Sequence, residues 1–461
     1  MADHLIHLPR DVMQLIRALR GAGHSAHVVG GCVRDSLLGR TPGDWDLCTN
    51  ARPEQMRRIF AGHQLILTGE KHGTVAVVLH GVPYEITTYR LDGDYTDHRR
   101  PDGVQFVDDL AQDLARRDFT INAMAYSPRR GFVDPFGGRE DLKNRVLRCV
   151  GCPETRFRED SLRILRGARF AVKYGLTPES ATMDAMVALR GLMDNLARER
   201  VFEELCKLLP LASAADLIRF APLLAAVIPE LAPMIGFDQH SPHHAFDLFT
   251  HTAHVCAAVP PDLTLRWAGL LHDTGKIPTF TRDETGRGHF YGHAKESAAL
   301  ADGILRRLRA PTRLREDVVE LIGLHMTKFE PEKKAIRRWL GRLGSEKLEK
   351  LLLLQQADMG SKGTGKPGEA EQFARLRACA AEVEAEETCL SLKDLAVNGG
   401  DLIALGFTPG PEIGRCLQAL LNRVLDERTP NDRDALLEQA RKWLSDTDHS
   451  QSEAGFLSSA D

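Results

Sequence analysis

Apolar positions change period several times along this chain. In residues 9–23, Val12, Leu15, Ile16 and Leu19 recur at helical spacing, with Pro9 at the start and glycines at the end. That spacing predicts a helix covering a sheet. Over residues 28–50 the β-branched pair Val28-Val29 runs into Gly30-Gly31. An amphipathic stretch to Leu38 follows, Gly39 stops it, and Asp44-Trp45-Asp46 opens a second extended run. The pattern predicts strand, glycine turn, short helix, strand. Residues 53–60 read as another short helix, and residues 74–80 and 82–90 as two strands joined at Gly81. The polar segment 91–103 is too long for a tight hairpin. It is either a surface excursion or a lid over a reacting site. From Pro178 to Pro229 the pattern is helical throughout, with residues 197–209 strongly amphipathic. Helical patterning then continues to about residue 445, interrupted by a Gly/Lys linker at 360–370, and the polar end is expected to be disordered. The fold class this predicts is α+β: a small sheet first, helices after it.

At 461 residues the chain exceeds what one hydrophobic core serves, so several modules are expected. A net charge of -4 excludes wholesale polyelectrolyte binding, which leaves local basic stripes as the only route to nucleic acid. Nine scattered cysteines and a polar start without a signal peptide point to the reducing cytoplasm. The Cys149/Cys152 pair has no second pair to complete a zinc site and reads as structural. No apolar run approaches the ~20 residues of a membrane span, so no membrane partner is expected.

Asp44 and Asp46 are two residues apart, and positions i and i+2 on a strand share a face. Two carboxylates so placed can clamp a pair of divalent ions roughly 4 Å apart, the arrangement that in-line phosphoryl or nucleotidyl transfer uses. Mg2+ suits such oxygen ligands. Glycine at 30 and 31 lets backbone N–H groups approach a triphosphate at a helix start, and Arg34 adds a fixed positive charge. Glu85, on the second predicted strand, is either a third metal carboxylate or a solvent-facing residue. Arg116-Arg117-Asp118 precedes an apolar-polar alternation ending in Asn122-Ala123, which by itself reads as a surface ion pair. In residues 159–169, Asp160, Arg163, Arg166 and Arg169 recur every third position beside an apolar side. On one helix that spacing makes a slowly drifting polar stripe, and a salt-bridged solvent face would look the same.

Three strings in order, GGCVRDSLLGRTPGDWD, RRDFTINA and EDSLRILR, resemble the motifs of the class II tRNA nucleotidyltransferase and poly(A) polymerase family over residues ~25 to ~170. The resemblance implies a polymerase β-like nucleotidyltransferase head with two Mg2+ ions on Asp44 and Asp46. It also implies nucleotide binding by Gly31, Arg34 and Arg117, and base selection by Asp160 and Arg163. Base chemistry agrees with the last point. Cytosine and adenine both present an exocyclic amino donor beside a ring-nitrogen acceptor, which a carboxylate next to a guanidinium fits; uracil and guanine present the reverse order. Arg166 would bind phosphate or brace the template, with Arg169 continuing the stripe. The expected reaction is addition of C, C and A to a tRNA 3′ end from CTP and ATP. Addition of CC alone, of A alone or of a poly(A) tail shares the same motifs.

The helical half carries a second resemblance. His272-Asp273 follows an apolar run in the context HTAHV…WAGLLHDTGK, similar to the HD superfamily of phosphohydrolases. It implies a further divalent metal on His251, His272, Asp273 and Asp358, and a third alternative in which the chain is a hydrolase whose head only binds nucleotide. Lys334, Arg337 and Arg338 form the best basic patch outside the head, a place for tRNA phosphates or a solvated face. GFTPGPEIG and the helix after it resemble the tail of bacterial tRNA nucleotidyltransferases. The expected organisation is a head at 1–150, a helical neck at 151–230, an HD-type helical domain at 240–360, a tRNA-binding tail at 370–445 and a disordered end at 446–461. No protein partner is evident.

Overall fold

The computed structural model describes residues 6–93, 103–241, 245–363, 369–386 and 389–456. The chain forms two compact units, residues 1–237 with 303–312 and residues 238–302 with 313–461. The expected head and neck fall in one unit together with residues 303–312 of the expected HD-type module, and the rest of that module shares the other unit with the expected tail.

The first unit opens with α1 (Arg10–Gly21), β1 (Ala26–Val29), α2 (Gly31–Leu37), β2 (Leu47–Thr49), α3 (Pro53–Ile59), β3 (Gln64–Ile66), β4 (Thr74–Leu79) and β5 (Val82–Thr88). A two-stranded ribbon follows, β6 (Arg90–Asp92) with β7 (Val104–Phe106), then α4 (Leu110–Ala115), β8 (Ala125–Ser127), β9 (Gly131–Val133) and α5 (Gly138–Lys143). Seven strands form one mixed sheet in the order β3-β4-β5-β2-β1-β8-β9, with β2 parallel to β5 and the other pairs antiparallel. The α1 stripe of Val12, Leu15, Ile16 and Leu19 is buried over β1. Val29, Cys48, Tyr89, Leu110, Leu114, Ala123 and Val150 form a further core cluster. The β4–β5 turn uses His80 and Gly81 at φ 51° and 80°, the positive pair a tight hairpin needs.

Asp44 and Asp46 lie before β2 and not on it, because Pro42-Gly43 keeps the approach irregular and the strand starts at Leu47. The Asp46 carbonyl nevertheless accepts the Val29 N–H at 3.0 Å, so the ladder begins there. Most of the candidate lid, residues 94–102, lies outside the described residues.

The expected single helix at 159–169 is two helices, α6 (Pro153–Glu159) and α7 (Leu162–Tyr174). Asp160 has extended backbone, and its carboxylate accepts the Leu162 N–H at 3.1 Å, so it caps α7. It is thus not the first member of a one-helix stripe. α7 binds this region to the sheet side: Phe170 meets Phe119 edge-on at 5.9 Å, and a Cβ on Gly167 would lie 3.0 Å from the Phe119 ring. That packing makes head and neck one unit. The neck is a series of short helices rather than one continuous run, among them Ser180–Ala188, Arg198–Leu208 and Ala221–Val227.

In the second unit the helix Leu263–Leu271 ends at His272, and the long helix Lys333–Gly360 kinks at Gly344 and carries Asp358 near its end. Tail residues Leu402, Phe407, Cys416, Leu420, Leu421, Leu425 and Leu436 form their own core. The linker residues 364–368 lie outside the described residues. The helix Arg433–Phe456 runs through most of the end expected to be disordered, starting from a segment anchored by buried Leu436, Leu437 and Ala440. No described helix is long and apolar enough to cross a membrane.

Candidate functional sites

Two sites emerge, one in each unit. The first is built on the turn after β1. Gly30 has φ 78° and ψ -125°, and its N–H donates to the Met124 carbonyl at 3.0 Å. A Cβ there would lie 2.8 Å from Arg117 Nη1. The backbone conformation thus requires glycine at 30, and any Cβ there would also displace the end of Arg117. Gly31 opens α2 with ordinary backbone, and a Cβ there would meet only Arg34 Nη2 at 3.6 Å.

Around this turn the carboxylates gather. The parallel register pairs Leu47 with Ile86, which sets Asp46 level with Glu85. Burial, then the neighbouring Asp44, then Glu85 push the Asp46 carboxyl up to about 6, with Arg117 opposing them. This is a crowded anionic set that a cation would relieve. Its three carboxylates are not drawn as tightly as the ligand clusters of the second unit, whose atoms lie within 4.8 Å of one another.

Arg34 is 5% exposed and fixed on three sides. Its Nε donates to Asp35 at 2.9 Å, Nη1 donates to Asn122 Oδ1, and the guanidinium lies 4.2 Å from the centre of the Tyr174 ring. Arg117 lies 3.8 Å from Asp113 and donates to the Asn122 carbonyl at 3.5 Å. Asn122 is therefore the hub between both arginines, and its amide donates to Asp118 at 3.0 Å.

The stripe arginines are all held by acids. Arg163 donates to Glu159 at 2.7 Å and to the carbonyls of Arg156 and Arg116 at 3.2 and 3.1 Å. Arg166 makes a two-pronged pair with Asp118 at 2.8 and 3.1 Å, and Arg169 donates to Glu204 at 2.5 Å. Burial opposes the Asp118 charge, but the Arg166 guanidinium overrides it and takes the carboxyl down to about 2. Asp160 has Arg200 at 3.6 Å and no ion pair with Arg163. The structure thus gathers Asp44, Asp46, Glu85, Gly31, Arg34 and Arg117 at the turn. Arg163, Arg166 and Arg169 are in a bracing network beside it. Asn122, Asp118 and Tyr174 are members that periodicity did not single out; the only sequence signal for the first two was their place inside RRDFTINA.

The second site is a buried cluster of histidines. His251 Nε2 lies 3.1 Å from Asp358 and 3.4 Å from Asp273, and His272 Nε2 lies 3.2 Å from Asp273. Asp273 also faces His293 at 3.6 Å, His325 at 4.0 Å and Lys276 at 2.8 Å. Each histidine Nδ1 sits on a backbone carbonyl: Ser361 (3.2 Å) for His251, Gly269 (2.9 Å) for His272, Phe290 (2.8 Å) for His293 and Ile322 (2.6 Å) for His325. A carbonyl only accepts, so Nδ1 carries the proton, and each ring that is neutral, or that loses its second proton to a bound cation, turns an Nε2 lone pair inward. Nε2 of His272 and of His325 is buried without a hydrogen bond. Two triads have ligand atoms within 4.8 Å, His251/His272/Asp273 and Asp273/His293/His325, a donor set that fits a divalent cation. Burial disfavours charge on His251, yet its hydrogen bonds to Asp273 and Asp358 carry it up to about 9, while burial takes His325 down to about 4. His325 carried no sequence signal, because it lies about 50 residues from the His-Asp pair.

The basic patch of the second unit is largely neutralised. Arg337 binds Glu427 and, at 3.1 Å, Glu386, and Arg338 binds Asp426. Arg337 and Arg338 thus join helices to one another.

Comparison with known proteins covers most of the chain. The family model of the poly A polymerase head domain matches residues 26–148, "Probable RNA and SrmB- binding site of polymerase A" matches 175–235, and domain 2 of tRNA nucleotidyltransferases matches 293–440. A CCA-adding enzyme of Streptococcus thermophilus is 31% identical over 437 residues, 94% of this chain and 97% of that protein. One from Geobacillus kaustophilus is 43% identical over 236 residues, 49% of this chain and 58% of that protein's length. The crystal structure of the Bacillus stearothermophilus CCA-adding enzyme in complex with CTP matches with a TM-score of 0.67 at 28% identity, covering 96% of this chain and 98% of that one.

Proposed function

The chain belongs to the CCA-adding enzyme family, and from that premise we propose that it adds C, C and A to the tRNA 3′ end from CTP and ATP by nucleotidyl transfer. The observation that carries the reading is the crowding of Asp44 and Glu85 on Asp46 at the Gly30 turn, beside two fixed arginines. Asp44 and Asp46 would hold two Mg2+ ions, with Glu85 alongside; when bound, these supply the charge that stabilises attacking and leaving oxygens. Arg34 cannot swing away from Asn122, Asp35 and Tyr174, so its charge is preorganised toward the triphosphate. Arg117 and the backbone at Gly31 complete that cradle. Asp160 accepts from the amino group shared by cytosine and adenine, and Arg163 donates to the adjacent ring nitrogen, exchanging its Glu159 bond for the base. Arg166 and Arg169 are positioning residues that brace the α6–α7 junction through Asp118 and Glu204. The nine cysteines are free, in keeping with our placing the activity in the reducing cytoplasm.

One assay tests this. The full chain is offered tRNA lacking CCA with labelled CTP, ATP, UTP and GTP. Growth by three residues from C and A alone is expected. An unbounded A tail would instead mark a poly(A) polymerase, and growth stopping after CC or restricted to a final A would mark the narrower enzymes. Asp46→Ala should abolish incorporation while nucleotide binding stays measurable, and wild-type turnover in that variant would refute the metal assignment.

The histidine cluster favours a second reading alongside the first. We infer an HD-type domain in the second unit that holds a divalent cation on His251, His272, Asp273 and Asp358, with phosphate-ester hydrolysis as the chemistry its resemblance implies. His293 and His325 extend the donor set. Phosphate release by the wild type and its loss in Asp273→Asn tests the hydrolytic part.

A further inference from the structure

At the end of β1 away from the Gly30 turn lies an open groove of about 1000 Å³, lined by α1, by the start of β1 and by the β8–β9 turn. Its charged lining is one-signed. Arg17 and Arg20 come from the last turns of α1, Arg129 and Arg130 from the turn, and no carboxylate lines it. Among the described residues none of these four arginines pairs with an acid, whereas the arginines around the nucleotidyl-transfer site are nearly all paired. Four uncompensated guanidiniums around one concavity repel one another unless an anion is present.

The groove also has a polar residue at its floor. His27 is 2% exposed and lines it. Ser25 Oγ has one proton and two neighbours, Asn50 Oδ1 at 3.1 Å and Tyr89 Oη at 3.0 Å, and Tyr89 Oη also meets His27 Nδ1 at 2.9 Å. A phenol is a stronger donor to imidazole than the reverse, so the ring proton sits on Nε2, a buried atom with no hydrogen-bond partner. Burial, then Arg130, then Arg20 take the His27 pKa down to about 4, so the ring is neutral and offers an N–H without adding charge. The carbonyls at the end of α1, which would repel an anion, are already capped: those of Ala18, Arg20 and Leu19 accept from the N–H groups of Ala22, Gly23 and His24.

We propose that this groove is a second anion site of the first unit, taking the di- or triphosphate group of a small ligand between Arg17, Arg20, Arg129 and Arg130, with His27 Nε2–H as the donor at its floor. A concavity confined to one end of β1, with a buried donor, suits a compact polyphosphate, whereas an RNA backbone would need a longer strip of contacts. β1 spans four residues, so the site lies roughly 13 Å along the strand from the Gly30 turn. Its occupant does not compete for the reacting position.

Inorganic pyrophosphate is the probe. It is titrated by calorimetry into the full chain at constant ionic strength, since the nucleotidyl-transfer site also takes phosphates and the groove is seen as a second equivalent. The wild type should bind two equivalents and Arg20→Gln/Arg130→Gln one, with unchanged thermal melting and unchanged CTP incorporation. His27→Phe should weaken the second equivalent at least tenfold; if that variant fails to fold, Arg20→Gln/Arg130→Gln still decides. A single equivalent in the wild type overturns the proposal, as does a second equivalent that survives in Arg20→Gln/Arg130→Gln. Unchanged pyrophosphate stoichiometry with a raised KM for tRNA also overturns it, because the groove is then a strip for RNA phosphates.

Discussion

Adjacent glycines at 30 and 31 should respond in opposite ways to the same added methyl group. At Gly30, φ 78° and ψ -125° are nearly closed to L-residues, a strain on the order of 1–3 kcal/mol. The new Cβ would also sit 2.8 Å from Arg117 Nη1. That atom ends a flexible side chain, so it moves, and it gives up its contacts with Asn122 and Asp113. Gly30→Ala should therefore lower the melting temperature of the first unit's transition by roughly 2–12 °C, at 2–4 °C per kcal/mol for a domain of this size. At Gly31 the backbone is helical and the nearest atom is at 3.6 Å. Alanine there is neutral or slightly stabilising for folding, since Gly costs about 1 kcal/mol relative to Ala inside a helix. It would nonetheless place a methyl group where the proposed triphosphate approaches the chain. Calorimetric scanning with a KM determination for CTP separates the two: Gly30→Ala loses stability, and Gly31→Ala keeps stability but raises KM. Equal melting of both variants, or a normal KM in Gly31→Ala, would refute the reasoning.

Asp46 holds its proton more tightly when folded, about 6 against 3.8. Its charge therefore costs the native state stability once pH exceeds about 4, fully so above about 6. Glu85→Gln should lower this pKa and shift the acid limb of the pH–rate profile to lower pH; an unmoved limb would disconnect Glu85 from the site. Asp118→Asn should destabilise the first unit by roughly 1–3 kcal/mol, a buried-pair loss discounted because Arg166 is one-third exposed. The Asp118 pKa is depressed to about 2, so the wild type keeps this stability above pH 4 and loses it as pH falls toward 2, whereas the variant shows no such loss in denaturant melts. His272→Ala should lower the bound transition metal measured by elemental analysis, with CCA incorporation unchanged. Equal metal content in both proteins would remove the cluster as a ligand set.

Much of this protein was determined by local order in its sequence. The α1 stripe, the Val-Gly-Gly turn and the β4–β5 hairpin depend on spacings of one to four residues, which backbone geometry converts directly into faces and turns. Motif order carried the family in the same way. Tertiary structure decided what those spacings cannot encode. A carboxylate capping the next helix broke the 159–169 stripe at Asp160, and the acids that hold Arg166 and Arg169, Asp118 and Glu204, lie far from them in the chain. Arg337 and Arg338 met tail carboxylates some 90 residues away, which joins helices that the sequence shows only apart. His293 and His325 joined His272 because helices far apart in the chain converge on one buried aspartate, and the unpaired arginines around His27 became a groove for a similar reason. Burial and long-range pairing set the charge and freedom of each such side chain, and both come from contacts that no sequence interval records.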